Sequence, residues 1–189
     1  NIWYLGRQAG LDFNLTGSQT VPVALQNSAM ITDEGCSTIS DATGSLLFYT
    51  NGVTVYNKAH SIMVNGDALA GHPSACQSGL IVQQPGSDNL FYIFTTDGIE
   101  GNFTKGYNYS IVDMSLNGGL GGVVQKNVQL ENFKVVDCLK AIKHGNGRDW
   151  WIIIRNSLNF SNEHFVYLIS SSGISSSFTQ AVGSVNHTN

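Results

Sequence analysis

The chain has 189 residues, of which only 12% are Asp, Glu, Lys or Arg, and its formal net charge is −4. A chain of this length buries a core as a single domain. Its weakly acidic balance offers no basic surface for nucleic acid or anionic lipid. No apolar run approaches the roughly 20 residues of a membrane-spanning helix. We therefore expect neither nucleic-acid binding nor membrane insertion.

The N-terminal residues and the sequons bear on cellular location. The chain begins at Asn1 and lacks the charged and apolar regions of a signal peptide, so we expect that any such peptide has been removed. Five Asn-x-Ser/Thr sequons are compatible with an exported, glycosylated protein. The candidate glycosylation residues are Asn14, Asn102, Asn108, Asn159 and Asn186. Together these features predict a secreted or cell-surface protein.

Short apolar or alternating runs recur between turn signals along the whole chain, and almost none shows the period of a helix. An N-terminal strand pair is predicted at 2–5 and 11–14. Three segments then repeat one plan, which consists of a turn, an aromatic strand, a polar loop and a second strand. The three aromatic strands are 46–49, 90–94 and 150–154. We therefore predict an all-β fold.

Equivalent aromatic residues give the length of the repeat. Phe48 and Phe91 are 43 residues apart, and Phe91 and Trp151 are 60 apart. The first spacing is within the roughly 40 to 50 residues of a four-stranded β-propeller blade, and the second is lengthened by the glycine-rich stretch 116–122, which we predict to be a loop insertion. A two-sheet β-sandwich is the alternative fold. We predict one propeller-like region over 1–189, with the strand pair in 1–31 and three four-stranded blades in 32–70, 71–132 and 133–189.

The number of blades suggests that the ring is open. Three blades and a strand pair do not close a propeller, which takes about four to eight blades. We therefore expect the chain to be a fragment of a longer protein. Its open blade edges are expected to favour self-association, because unpaired strands pair readily with another chain.

Several segments carry a resemblance to a known family. They are 1–6 (NIWYLG), 9–14 (AGLDFN), 34–41 (EGCSTISD), 46–52 (LLFYTNG) and 109–114 (YSIVDM). These segments resemble the N-terminal propeller-like region of large proteins that gliding bacteria export by the type IX secretion route. The resemblance implies secretion or surface display. It also implies a longer protein that continues, often through PKD-like modules, to a gliding-motility-associated C-terminal sorting domain, and it supplies no catalytic residues.

Recognisable catalytic motifs are missing from the sequence. Neither the nucleophile elbow G-x-S-x-G nor the zinc motif H-E-x-x-H occurs. Glycoside hydrolysis needs two carboxyl groups in one cleft, whereas Asp33, Glu34 and Asp41 flank one predicted strand at opposite ends. Asp41, Asp88 and Asp97 are predicted as turn residues. We predict no catalytic residues, no metal site and no cofactor, and leave open a structural calcium ion bound by carbonyl groups.

Aromatic and polar residues in loops are the candidates for ligand binding, because aromatic rings stack on sugars and polar groups bind their hydroxyls. His144 is included because it lies where a predicted strand meets a turn. The candidate ligand-binding residues are Trp3, Tyr56, Tyr107, Trp150 and His144.

Other residues are assigned to packing. Strand alternation predicts that one residue of each adjacent aromatic pair, such as Phe48 and Tyr49, faces the core between blades. The three cysteines, Cys36, Cys76 and Cys138, fit no metal-binding spacing and are predicted to be buried. In an oxidising compartment the alternative is one disulfide and one free thiol.

These features predict an extracellular or cell-surface binding or adhesion module, whose partner is a polysaccharide or a surface protein. The first alternative is a structural repeat unit of an extracellular filament or surface assembly. The second is a glycan-processing hydrolase.

Overall fold

The computed structural model describes residues 1–132, 135–156 and 161–185, with the backbone alone at 99 and 135–137. Within these residues the fold is all-β and contains four small antiparallel sheets, none of which is closed. Two 3₁₀ turns, Ile99–Gly101 and Asn117–Gly119, are the helical elements of these described ranges. Neither is long or apolar enough to cross a membrane.

The first two sheets come from the N-terminal part of the chain. Sheet 1 contains, in spatial order, β1 (Ile2–Leu5), β2 (Ala9–Asp12) and β3 (Val23–Leu25). Sheet 2 contains β4 (Ser37–Ser40), β5 (Leu46–Thr50) and β6 (Val55–Asn57). In both sheets each strand pairs with the next one along the chain, which is the connectivity of a β-meander.

The last two sheets are larger. Sheet 3 contains β7 (Gly79–Gln83), β8 (Leu90–Thr96), β9 (Tyr107–Asp113) and β10 (Gly122–Glu131). Sheet 4 contains β11 (Val135–Lys143), β12 (Trp150–Asn156), β13 (Glu163–Ser170), β14 (Gly173–Ile174) and β15 (Phe178–Ala181). Strands β14 and β15 both pair with β13. The four sheets fall in turn within the predicted segments 1–31, 32–70, 71–132 and 133–189.

The strand counts correct the expectation of four strands in every blade. Sheet 3 has four strands, whereas sheet 2 has three and sheet 4 has five. Beside β6, single bridges join Tyr56 to Ile62 and Val64 to Gly122. The segment after β6 therefore pairs with sheet 2 at one residue and with sheet 3 at another, and these single bridges do not make it a strand of either sheet. Strand β3 was not predicted, because its three residues do not alternate between apolar and polar side chains.

Successive sheets pack face to face. Tyr4 of sheet 1 lies against Tyr49 of sheet 2, with ring centroids 4.8 Å apart. Between sheets 2 and 3, Phe48 and Phe91 meet edge to face at 5.5 Å. Sheets 3 and 4 share a core cluster that consists of Val82, Tyr92, Phe94, Tyr107, Leu139, Ile152, Ile154, Tyr167 and Ile169. The apolar core thus lies in three layers between neighbouring sheets.

This layering corrects the prediction for the adjacent aromatic pairs. Phe48 and Tyr49 are both fully buried, and so are Phe91 and Tyr92. Alternation sends the two members of a pair to opposite faces of the strand. Because sheets 2 and 3 are covered on both faces, both members pack in a core.

Small residues line a close junction between the ends of sheets 2 and 3. The Ser78 hydroxyl donates to the carbonyl oxygens of Gly35 and Asn51, at 2.9 and 2.6 Å. Gly52 has φ +82°, and a Cβ added there would overlap the Ser78 carbonyl. Only glycine combines this left-handed conformation with such a close approach of two backbones.

The prediction that all three cysteines are buried is wrong. Cys76 and Cys138 are exposed, and Cys36 is half-buried. The Cys36 Sγ lies 3.6 Å from the carbonyl oxygen of Tyr4. Burial raises the pKa of the Cys36 thiol.

Candidate functional site

Three equivalent hairpin turns lie along one rim of the protein. They join β4 to β5, β7 to β8 and β11 to β12, which are the first two strands of sheets 2, 3 and 4. A cavity between the first two turns is lined by Asp41, Asp88 and Phe91, among others. A second cavity lies between the second and third turns, so Asp88 borders both. Each turn places polar groups at the boundary between two sheets.

The cavity between sheets 3 and 4, here called the rim cleft, has a volume of about 410 Å³. The β7–β8 turn contributes Gln83, Gln84, Ser87 and Asp88 to its wall. The β11–β12 hairpin contributes Lys143, Gly147, Arg148 and Trp150. The rim cleft therefore combines one large aromatic side chain with amide, hydroxyl, carboxylate, ammonium and guanidinium groups.

Trp150 forms the aromatic part of the rim cleft. It is half-buried because it also packs against the core between sheets 3 and 4. The Lys143 Nζ lies 4.0 Å from the centre of its ring. A cation at this distance is attracted to the negative face of the indole. Core packing and the Lys143 ammonium together hold the ring in one orientation.

The β11–β12 turn is fixed by its own hydrogen bonds. The Asn146 Oδ1 accepts from the backbone N–H groups of Arg148 and Asp149, both at 3.0 Å. The His144 carbonyl accepts from the N–H of Gly147 at 2.9 Å. The His144 Nδ1 accepts from the N–H of Asn146 at 3.0 Å. The turn is thus organised without a ligand, and His144 is part of that organisation.

Asp149 is buried beneath this turn as a carboxylate. Arg148 donates to it through Nε at 2.8 Å, and the Asn146 Nδ2 donates at 2.8 Å. These hydrogen bonds, that of Arg148 first, lower the pKa of Asp149. The Arg148 charge is balanced within the turn, whereas Lys143 has no carboxylate partner among the described residues.

The β7–β8 turn presents side-chain acceptors to the rim cleft. The Gln83 Nε2 donates to the Ser87 carbonyl at 2.8 Å. The Ser87 Oγ accepts from the N–H groups of Asn89 and Leu90, at 3.3 and 3.1 Å. The Gln83 side chain is anchored through its nitrogen, so its amide oxygen is left as an acceptor. The turn is therefore suited to bind hydroxyl groups.

No protein-family model, curated protein or solved structure matches this chain.

The predicted ligand-binding residues do not form one site, because they are spread over four sheets. Trp3 projects from the outer face of sheet 1, against Phe13 at 5.0 Å between ring centroids. Tyr56 is half-buried in sheet 2 and stacks on Tyr49 at 5.2 Å. Only Trp150 and His144 belong to one element, the β11–β12 hairpin.

Tyr107 corrects the expectation that the candidate aromatics are exposed. Its side chain is fully buried between sheets 3 and 4, at 0% exposure. Burial raises the pKa of its hydroxyl well above the ordinary tyrosine value. No hydrogen-bond partner for this hydroxyl is found in the described part of the chain. A ligand in solution cannot reach the ring in this conformation.

The sequons differ in accessibility. Asn108 is buried, and its Nδ2 donates to the Lys105 carbonyl at 2.7 Å. The Asn14 Nδ2 donates to the Gly44 carbonyl at 2.9 Å. Asn102 is exposed in a turn with φ +53°. Asn159 and Asn186 lie outside the described residues. Asn14 and Asn102 are both exposed, so these two positions are accessible to a glycan whereas Asn108 is not.

The predicted turn carboxylates have local structural partners. The Asp41 Oδ1 accepts from the N–H groups of Thr43 and Ser45, at 2.8 and 3.0 Å, which confirms its turn role. Asp97 is fully buried and accepts from Gly98 and Lys105. Within 1–132, 135–156 and 161–185, no group of three or more His, Cys, Asp or Glu residues is arranged to hold a metal ion.

Sequence reasoning missed most of the rim cleft. Lys143, Arg148, Gln83 and Gln84 carry no motif, since each is a common surface residue. The repeated plan of the sequence is the signal from which these residues could have been predicted. The turn before each aromatic strand occupies the same place in its sheet, so turns of neighbouring repeats lie side by side. Polar residues in those turns then face one another across the boundary between sheets.

Proposed function

We propose that this chain is an extracellular or cell-surface binding module that holds a glycan in the rim cleft. The observation that carries the proposal is the fixed indole of Trp150 among polar groups from two turns. Aromatic rings stack on the apolar faces of sugars, while side-chain amides and charged groups bind the hydroxyls. The volume of about 410 Å³ is within the range of roughly 300–1,000 Å³ for small-molecule sites.

The charges of the rim cleft favour a ligand rich in hydroxyl groups over a polyanion. Arg148 is paired with Asp149, and the remaining charges are Lys143 and Asp88, which have opposite signs. A phosphate-binding site concentrates positive charge and backbone N–H donors. Here donors and acceptors are mixed, which matches a sugar, since each hydroxyl both donates and accepts.

The rigidity of the turn supports binding. Asn146, Asp149 and His144 already hold the backbone of the β11–β12 turn in one conformation. A preorganised wall loses little conformational entropy when a ligand binds. A flexible loop would lose more conformational entropy on binding a glycan. The fixed turn therefore needs fewer contacts to reach the same affinity.

We also propose that the four sheets are successive blades of a β-propeller. The proposal is supported by the face-to-face packing of each sheet on the next one along the chain. The close backbone junction at Gly52 and Ser78 suits the crowded inner end of a blade. In such a fold the rim turns lie on one face of the ring, where propellers place their binding loops.

Location outside the cell is part of the same proposal. It is supported by the resemblance to the N-terminal region of proteins exported by the type IX route, and by the accessible sequon at Asn102. A surface protein that binds polysaccharide serves adhesion, because it links the cell to extracellular glycans. The rim cleft would then be the adhesive site.

Calorimetric titration with a panel of soluble oligosaccharides tests the binding proposal. The panel contains cello-, xylo-, manno-, chito- and uronate oligomers. Short oligomers are used because several protein molecules can bind one long polysaccharide, which would distort the measured affinity. We expect one oligomer class to bind, and Trp150→Ala to weaken that binding at least about tenfold. Trp3→Ala is the matched control and should bind normally. An affinity unchanged in Trp150→Ala would contradict the proposal.

A structural unit of an extracellular assembly is the second candidate function. The specific observation in its favour is the exposure of large apolar side chains on sheets 1 and 4. Trp3 is 58% exposed and Ile142 is 52% exposed. Faces of this kind normally become buried in a protein–protein contact.

A further inference from the structure

Two sheet faces of this protein lack a neighbouring sheet in the described part of the chain. Sheet 2 is covered by sheets 1 and 3, and sheet 3 by sheets 2 and 4. The outer face of sheet 1 and the outer face of sheet 4 remain at the two ends of this series. The outer face of sheet 1 is apolar, and that of sheet 4 combines apolar with cationic side chains.

The outer face of sheet 1 presents a projecting aromatic residue. In β1 the side chains of Ile2 and Tyr4 point towards sheet 2, which leaves Trp3 and Leu5 on the other side. Trp3 is paired with Leu11 on the neighbouring strand and contacts Phe13. These residues form an apolar patch with the indole of Trp3 as its most exposed large aromatic group. We call it the Trp3 patch.

The outer face of sheet 4 contains a matching hollow of about 540 Å³. Ile142 and Ile153 contribute apolar groups, and Lys140, Arg155 and His164 contribute polar ones. Ile153 is directly paired with Lys140 across β11 and β12, so cation and apolar group are adjacent. We call this surface the sheet 4 hollow. It is large enough to accept an aromatic side chain, and cationic groups lie beside its apolar ones.

We propose that the Trp3 patch of one copy of this chain docks into the sheet 4 hollow of a second copy. The contact continues the series of sheet-on-sheet interfaces already present inside the protein, with sheet 1 of the next copy following sheet 4. Tryptophan is the residue type that most often anchors interfaces by filling a pocket. The Lys140 and Arg155 side chains supply cations for its ring, as Lys143 does for Trp150 at 4.0 Å.

The geometry makes this contact heterologous. The two surfaces are different and lie on different sheets, so each copy keeps one free surface after the first contact forms. Such contacts produce rings when the rotation closes and filaments when it does not. The inference is independent of glycan binding, because neither Trp150 nor the β7–β8 turn contributes to either surface.

Sedimentation velocity of the 189-residue protein, over about 1 μM to 1 mM, tests the proposal. We expect the wild-type protein to associate as concentration rises. Trp3→Ala and Ile142→Asp should each remain monomeric. Ile62→Asp alters an equally exposed apolar residue outside both surfaces and should associate like the wild type. Circular dichroism verifies that every variant is folded, which is expected because the altered side chains are exposed.

Mixing the two defective variants gives the decisive result. Trp3→Ala keeps an intact hollow, and Ile142→Asp keeps an intact Trp3 patch. A head-to-tail contact therefore predicts that the equimolar mixture forms heterodimers and nothing larger. A mixture that stays monomeric while the wild type associates would mean that the contact joins identical surfaces, which overturns the proposal. Wild-type protein that is monomeric throughout, or association unaffected by either substitution, would overturn it as well.

Discussion

The Lys143 ammonium nitrogen lies 4.0 Å from the centre of the Trp150 ring, and the two residues are directly paired across strands β11 and β12. The pairing is a cross-strand cation–π contact at the edge of the rim cleft. The positive charge of Lys143 thereby helps to orient the Trp150 ring that forms the aromatic wall of the cleft. A change in Lys143 should therefore affect binding more than it affects the fold.

The first prediction concerns Lys143→Ala. A cation–π contact at an exposed site contributes about 0.5–1 kcal/mol, so we expect the free energy of unfolding in urea to fall by no more than that. Affinity for the glycan should fall severalfold in calorimetry, because the indole loses one of its two restraints. Lys126→Ala is a suitable control, because Lys126 lies on β10 of sheet 3, where it bonds Asp67, and does not line the rim cleft. Equal affinities for wild type and Lys143→Ala would show that this contact has no part in binding.

The second prediction separates two buried tyrosines of one core cluster. The Tyr167 hydroxyl donates a hydrogen bond to the Glu131 carboxylate, whereas the Tyr107 hydroxyl has no partner among the described residues. Removing an unpaired buried hydroxyl relieves its desolvation cost, so Tyr107→Phe should leave stability unchanged or raise it by up to about 1 kcal/mol.

Tyr167→Phe is the matched variant and should lower the free energy of unfolding by about 1–2 kcal/mol, because Glu131 loses the Tyr167 hydrogen bond and keeps the longer one from the Ser177 hydroxyl at 3.4 Å. Equilibrium unfolding in urea measures both changes. A larger loss of stability in Tyr107→Phe than in Tyr167→Phe would contradict these hydrogen-bond assignments.

A third prediction is loss of stability at alkaline pH. Burial raises the pKa of Tyr107 well above its ordinary value and also raises the pKa of Tyr49, Tyr92 and Tyr167. The folded state then holds these protons more tightly than the unfolded chain, whose tyrosines ionise near about pH 10. This contribution to stability is complete below that pH and is lost as the pH rises towards the folded-state values.

The check is a series of urea midpoints from about pH 8 to pH 11, with tyrosinate absorbance followed in parallel. We expect the midpoint to fall above about pH 10 and tyrosinate to appear together with unfolding. Tyrosinate that forms fully while the fold persists would contradict the burial of these side chains.

A fourth prediction uses two glycines. Gly52 has φ +82°, and an added Cβ would overlap the Ser78 carbonyl, whereas a Cβ at Gly145 would meet no atom within 4 Å. Gly52→Ala should cost more than about 2 kcal/mol, because backbone strain and overlap add together. Gly145→Ala should change stability by less than about 1 kcal/mol. Thermal or urea unfolding distinguishes them, and similar losses would mean that the junction of sheets 2 and 3 is looser than described.

The all-β fold and most strands could be predicted from the sequence. Turn residues and alternating runs are local signals, so the aromatic strands around Phe48, Phe91 and Ile152 were found where they occur. Strand β3 and the bridged chain after β6 were missed, because three residues show no period and a bridge between sheets has no sequence pattern.

The site was harder to predict, because its residues meet through tertiary structure. Trp150 and His144 were identified as an exposed aromatic and a turn residue. Tyr107 looked the same in sequence, yet it is buried because sheet 3 is covered on both faces. Lys143 and Gln84 lie on different hairpins, and only the packing of sheet 3 on sheet 4 brings those hairpins together.

The most direct test of the proposed function is to locate the bound glycan. Backbone amide shifts of the isotope-labelled protein are followed by NMR during titration with the oligosaccharide that binds in calorimetry. We predict that the largest changes occur in the turns 84–88 and 144–149 and at the indole N–H of Trp150. Changes concentrated elsewhere, or none in these two turns at saturation, would contradict the assignment of the rim cleft as the binding site.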